Sequence, residues 1–214
     1  MVKIFVAGGS GRVATETIRI LASQGHDIYA GARHKDHIVM GDHIYPQELD
    51  LHAEVDALAA QIDGMDAVYF LAGSRGKDLL QTDAFGCVKL MQACEKAGIK
   101  RYVQLSSIYS IQPEKWQEEP SLASIMNYDI ARFFADQWLI RNTDLDYTIV
   151  GPCVLTEEPA TGRIEINPER GTSNPIPDVA AVLAGVLDKP NTFRKVIYMT
   201  GGDTPIEDAL DAVE

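Results

Sequence analysis

Positive charge is scarce in this sequence. Nineteen Lys and Arg stand against 31 Asp and Glu over 214 residues, a formal net charge of −12. Such a chain offers no general footprint for nucleic acid or an anionic membrane surface, so an anionic ligand has to be held by local donors. Cysteine is equally sparse. Cys87, Cys94 and Cys153 are odd in number, and their spacing fits neither a disulfide framework nor a zinc site; a reducing cytoplasm is the expected setting. The histidines, His26, His34, His37, His43 and His52, lack i,i+4 ligand spacing with carboxylate support, so no metal site is expected. No apolar run is long enough to span a bilayer, and "MVKIFVAGGSG" is broken by glycine too early for a signal peptide. Internal repeats and low-complexity segments are absent as well.

What the sequence does contain is alternation. Residues 3–8, 27–32, 67–73, 101–107 and 146–152 are short apolar runs rich in Val, Ile, Tyr and Phe, bounded by turn residues, and read as buried strands. Residues 43–51 make a weaker strand, with Pro46 suited to an edge. Helical patterns fall between them, at 12–24, 52–62, 82–97 and 124–142. The first carries Val13, Thr17, Ile20 and Leu21 on one stripe and Gly25 just past its end. This order predicts an α/β fold, a Rossmann-type doubly wound parallel sheet in a single domain, with a core over 1–152. From 153 to 214 the texture changes. A turn-rich stretch precedes a helix at 178–188, a strand at 195–200 and a helix at 205–213, a tail too short for a large core of its own. It is expected to extend the sheet and wall the substrate side.

The first strand runs into "GGSGRVA", where Gly8, Gly11 and Ala14 keep the spacing G-x-x-G-x-x-A. Glycines permit a tight turn and close approach of a pyrophosphate, and a helix N-terminus presents free N–H groups to it. Gly8, Gly9, Ser10, Gly11, Arg12 and Val13 are therefore candidate dinucleotide-binding residues. At the end of the second strand a carboxylate would select a ribose 2′-hydroxyl and an arginine a 2′-phosphate. The sequence there reads "YAGARHK", so Arg33 favours NADP over NAD, with Arg12 as a candidate second cation.

With these pieces in place, the sequence resembles the atypical short-chain dehydrogenase/reductase superfamily, in its small NAD(P)H-binding branch with compact epimerase/dehydratase relatives. The resemblance covers nearly the whole chain. "LDL" at 49–51 is similar to the family's G-D-L turn, implying that Asp50 and Leu51 lie near the adenine. "LAGS" at 71–74 resembles the segment under the nicotinamide-side ribose, which implicates Ala72 and Gly73. "DAFGCVKLMQACEKAGIKRYVQLSS" at 83–107 ends in paired serines, and "YDIAR" falls where the family carries Y-x-x-x-K. "LDYTIVGPCVL" resembles its strand and loop over the nicotinamide, placing Pro152 and Cys153 there. Arg132 replaces the usual lysine, Gly151 the arginine of R-P-G, and Cys153 its glycine.

The resemblance implies Tyr128 as proton donor or acceptor, Ser107 as the group steadying the substrate oxygen, and Arg132 as the cation expected to lower the tyrosine pKa. Tyr109 is a rival acid. The alternative for Tyr128 and Arg132 is an aromatic packed on the sheet and an arginine reaching a carboxylate such as Asp129 or Asp136. The loop at 110–125 reads as a lid or substrate wall, with Trp116 either covering a ligand or anchoring the loop. Cys87 and Cys94, one heptad apart, belong on a buried helix face. The expected function is an NADP(H)-dependent oxidoreductase acting on a small carbonyl, quinone or flavin-like substrate, as monomer or homodimer. A non-catalytic NADP-binding redox sensor of NmrA-like type is the alternative, and nucleotide-sugar conversion a poorer third.

Overall fold

The computed structural model of the protein describes residues 1–117 and 120–214. The chain runs β1 (Lys3–Ala7), α1 (Arg12–Ser23), β2 (Asp27–Ala32), β3 (Ile44–Glu48), α2 (Val55–Gln61) and β4 (Ala67–Phe70). A π-helical segment (Leu79–Gly86) then leads into α3 (Cys87–Ala97), β5 (Arg101–Leu105), α4 (Pro120–Ala123), α5 (Met126–Asn142) and β6 (Asp146–Pro152). The tail adds β7 (Val154–Thr156), β8 (Arg163–Ile166), β9 (Ser173–Pro175), α6 (Ile176–Gly185), β10 (Lys195–Gly201), β11 (Thr204–Pro205) and α7 (Ile206–Asp211). Nine strands form one sheet in the order β11-β8-β10-β6-β5-β4-β1-β2-β3. From β3 to β10 every pairing is parallel, whereas β8 runs antiparallel to β10. This is the doubly wound α/β sheet of a Rossmann-type single domain.

Period-two alternation along the strands divides the core between the two faces. Ile4 and Val6 of β1, Ala67 and Tyr69 of β4 and Val103 of β5 point to a cluster shared with α1 and α6. Phe5 and Ala7, Val68 and Phe70, and Tyr102 point to the opposite cluster, under α2, α3 and α5. Each fully buried Val, Leu, Ile or Phe contributes about 1.5–3 kcal/mol, and buried parallel strands need apolar residues on both faces. That is why these strands read as continuous apolar runs. Cys87 and Cys94 are fully buried in the second cluster, and the Cys87 thiol donates to the Gln104 side-chain oxygen at 2.9 Å.

Several expectations change in detail. The buried stripe of α1 includes Ala14 and Ile18, while Ile20 is only half-buried, because sheet and α6 together cover a wider arc than four positions. Pro46 does lie in an edge strand, β3. The helix expected from 82 begins instead as the π-helical segment, in which Gly86 has no room for a Cβ: one would stand 2.8 Å from the Gln81 carbonyl oxygen. The turn-rich stretch after 153 holds β7, β8 and β9. Strands this short carry too little periodicity to be read, and tertiary pairing alone orders them. β10, β8 and β11 extend the sheet as expected, and among the described residues no helix is long and apolar enough to cross a membrane.

Candidate functional site

β1 leads directly into the loop that builds the site. Gly8 turns the chain at φ 88°, in the left-handed region that glycine alone adopts freely, and a Cβ there would stand 2.4 Å from the Ala72 Cα. The Gly8 and Gly9 amides both donate to the Gly31 carbonyl at 2.9 Å, and Gly11 donates back to Gly8 at the same distance. No side chain caps α1. The amides of its first turn, Arg12 and Val13 among them, are therefore left for an anion.

In an open parallel sheet, ligands bind beyond the carboxyl ends of the strands where the strand order reverses. β1, between β2 and β4, is that point, and two cavities flank its loop. The first, of about 380 Å³, is lined by Gly8, Ser10 and Gly11, by Arg33, Asp50 and Leu51, and by Ala72 and Gly73. Four separate elements thus bring together the residues expected at the adenosine and pyrophosphate end. Gly9 and Val13 are buried beneath them. Arg33 is exposed and has no ion-pair or hydrogen-bond partner among the described residues.

Arg75 and Lys77, which sequence reasoning passed over, line the same cavity and are also unpaired among the described residues. Their only signal was their place in "GSRGKD", just past the carboxyl end of β4. In a chain of net charge −12, three unpaired cations around one cavity supply the local positive field an anionic ligand requires. Arg12 is not among them. Its guanidinium pairs with Glu157 at 2.5 Å and lines the other cavity. His52 meets Asp78 at 2.7 Å, linking the loops after β3 and β4.

The second cavity, of about 540 Å³, opens at the ends of β5 and β6 and is lined by Ser107, Tyr128, Pro152 and Cys153 among others. The paired serines have divided roles. Ser106 donates its hydroxyl to Asp136 at 2.5 Å beneath the site. Ser107 makes no side-chain hydrogen bond among the described residues, and neither does the partly buried Tyr128 hydroxyl. Both line the cavity. Burial pushes the Tyr128 pKa up to about 12, outweighing the opposing pull of Arg132; the expected lowering is reversed because the phenolate loses more in desolvation than the cation returns. Tyr109, the rival acid, donates its hydroxyl to the Pro168 carbonyl at 2.9 Å. Trp116 is buried, donates to the Tyr109 carbonyl at 2.8 Å and packs edge-on against Phe133, so it anchors the loop and does not line the cavity. Glu118 and Glu119 of that loop lie outside the described residues.

A family model described as NAD(P)H-binding matches residues 8–190. The chain belongs to the NAD(P)H-binding family. It is 30% identical to the Bacillus subtilis protein named uncharacterized sugar epimerase YhfK, over 97% of this chain and 98% of that one. It is 33% identical to YMR090W of Saccharomyces cerevisiae over 76% and 74% of the two chains. Among solved structures, the oxidoreductase ylbE of Lactococcus lactis is 42% identical, with a TM-score of 0.95 over 99% of this chain and 96% of that one. The resemblance carried by the glycine loop, the serines and "YDIAR" is therefore borne out at the level of family and fold.

Within the NAD(P)H-binding fold, the three departures at this site have physical accounts. The Arg132 side chain is 1% exposed. It donates to the Leu105 carbonyl at 2.8 Å and to the Asp83 carbonyl at 3.2 Å, and pairs with Asp136 at 3.6 Å. It lines neither cavity. Asp136 also takes hydrogen bonds from Ser106 and Gln104, so the arginine closes a buried network tying α5 to β5 and the π-helical segment. Gly151 has no room for a side chain: a Cβ would stand 2.6 Å from the Ser107 carbonyl oxygen and 2.8 Å from Tyr198. Cys153 and Gly171 are complementary, since a Cβ on Gly171 would meet the Cys153 sulfur at 2.0 Å.

Proposed function

We propose that the protein is an NADP(H)-dependent oxidoreductase that reduces a small, largely apolar carbonyl or quinone. The observation that carries this reading is the pairing of two uncommitted hydroxyls, Ser107 and Tyr128, in the cavity at the ends of β5 and β6. Gly8–Val13, Asp50, Leu51, Ala72 and Gly73 would hold the dinucleotide, with Arg33 taking a 2′-phosphate and so favouring NADP over NAD. When bound, NADPH supplies the hydride. Ser107 then donates a hydrogen bond to the substrate oxygen, and Tyr128 gives that oxygen its proton as the carbonyl carbon is reduced. A phenol held near pKa 12 stays protonated at neutral pH, which suits a proton donor in reduction better than a base in alcohol oxidation. Leu105, Ile108, Leu122, Ile125, Val154 and Leu155 supply apolar lining, and no carboxylate or amide side chain is among the described lining residues.

A second reading, an NADP-binding redox sensor without turnover, draws support from Arg132. The cation at the family's lysine position is enclosed in the buried network and makes no contact in the cavity. Sugar-nucleotide conversion, suggested by the name of YhfK, fits less well: the second cavity would also have to hold the nicotinamide end, and its lining lacks the carboxylates and amides that grip sugar hydroxyls. NADPH oxidation across a panel of quinones and carbonyls, alongside calorimetric titration with NADP and NAD, separates the readings. Turnover with NADPH supports the oxidoreductase, tight NADP binding without turnover supports the sensor, and no dinucleotide binding overturns both.

A further inference from the structure

A third cavity, of about 700 Å³, opens between the loop after β4 and the turn that enters α5. Tyr128 lines it as well as the second cavity, and Arg75 lines it as well as the first. Leu79, Ala123, Ile125 and Met126 give it apolar walls, and Arg75 is the one charged side chain among its described lining residues. Arg33 and Lys77 line the first cavity only. The neighbouring carboxylates are withheld from it. Asp83 is buried and takes the Ser74 amide at 3.2 Å, and Asp129, in the first turn of α5, is fully buried with neither oxygen hydrogen-bonded among the described residues.

The loop that carries Arg75 is tied down on both sides of it. Lys77 donates its amide to the Ser74 carbonyl at 3.2 Å, Asp78 donates its amide to the Ser74 hydroxyl at 3.0 Å, and the Asp78 carboxylate meets His52 at 2.7 Å. Within this turn Arg75 takes φ 55°, in the left-handed region that disfavours a residue with a Cβ. An arginine without ion-pair or hydrogen-bond partner among the described residues is thus held at a strained position on a cavity wall, and strain of this kind clusters where ligands are gripped.

We propose that Arg75 binds a carboxylate of the substrate, so that the compound reduced at Ser107 and Tyr128 is an oxo acid with an apolar body. This rests on reading the second cavity as a carbonyl site. The carbonyl lies in the second cavity, and the acid reaches past Tyr128 into the third. A guanidinium grips a carboxylate through two parallel N–H donors. The Asn127 side chain, exposed, lining the same cavity and without a partner among the described residues, adds a neutral donor. One cation matches a monoanion; a phosphate dianion calls for a second, and the described lining of the third cavity holds none.

Calorimetry on the full chain saturated with NADP, which has no hydride to give, tests this with β-benzoylpropionate and its methyl ester, the same aryl ketone with and without the acid. The acid is expected to bind about tenfold or more tighter than the ester, and Arg75→Ala to abolish that preference while the ester keeps its affinity. Lys77→Ala, which removes the same charge from the same loop but not from the third cavity, should retain the preference. Equal affinities for acid and ester, a preference that survives Arg75→Ala, or one lost equally in Lys77→Ala overturns the proposal. Reduction by NADPH separates the two claims. Acid binding at Arg75 without turnover of β-benzoylpropionate counts against the oxidoreductase reading and upholds the anion site, whereas turnover of acid and ester with the same KM upholds the reading and overturns the site.

Discussion

Arg132 and Asp136, one turn apart on α5, face each other at 3.6 Å with side-chain exposures of 1% and 0%. The pair lies under the carboxyl end of β5, where Arg132 also holds the Leu105 carbonyl and Asp136 the Ser106 hydroxyl. It joins the helix carrying Tyr128 to the strand that leads into Ser107.

Removing one partner leaves the other as an unpaired buried charge. Arg132→Met is expected to cost about 3–5 kcal/mol, read as a fall in the urea midpoint. Loss of cofactor affinity without loss of stability would instead mean that the guanidinium works in the cleft.

Gly151→Ala should be destabilising by about 1–3 kcal/mol, because the new methyl meets the Ser107 carbonyl and Tyr198. Gly162→Ala is a useful comparison. That glycine has φ 69° but open space around it, so backbone strain alone is expected there, about 1 kcal/mol. Equal urea midpoints for the two variants would contradict the steric account of Gly151.

Arg33→Ala is expected to lower NADPH affinity about tenfold or more while leaving NADH affinity nearly unchanged, since a charge-assisted bond contributes about 1.5–3 kcal/mol. Calorimetric titration with both nucleotides measures the ratio. An unchanged ratio would transfer the 2′-phosphate to Arg75 and Lys77.

Tyr128→Phe keeps the ring and removes the proton. Turnover of a true substrate should fall about a hundredfold to ten-thousandfold with NADP affinity preserved, in stopped-flow and equilibrium titrations on the same preparation.

Asp129 also predicts how stability varies with pH. Its folded pKa of about 6 lies above the unfolded value of about 3.9. Below pH 4 the carboxyl is neutral in both states and costs nothing. As pH rises from 4 through 6 the unfolded chain releases the proton first, and stability is lost, by roughly 2–3 kcal/mol in all. Urea denaturation at pH 4.5 and 7.5 should therefore show Asp129→Asn gaining on the wild type at the higher pH. A constant difference between the two proteins would refute the buried, unpartnered carboxyl.

The sequence by itself determined whatever is local or periodic. Apolar runs with turn residues between them specified five of the parallel strands, because a strand buried on both faces must be apolar throughout. The spacing of Gly8, Gly11 and Ala14 marked the tight loop between β1 and α1, because the chain geometry there admits only small residues. "YAGARHK" placed Arg33 at a strand end without any knowledge of the sheet. Tertiary structure alone decided the rest. Ser106 and Ser107 are identical in sequence, yet one is spent on Asp136 and the other faces the cavity. Arg132 reads as an active-site cation until β5, α5 and the π-helical segment close around it. Arg75 and Lys77 carry no motif; they matter through the cavity that folding sets between them and Arg33, at distances no linear spacing encodes.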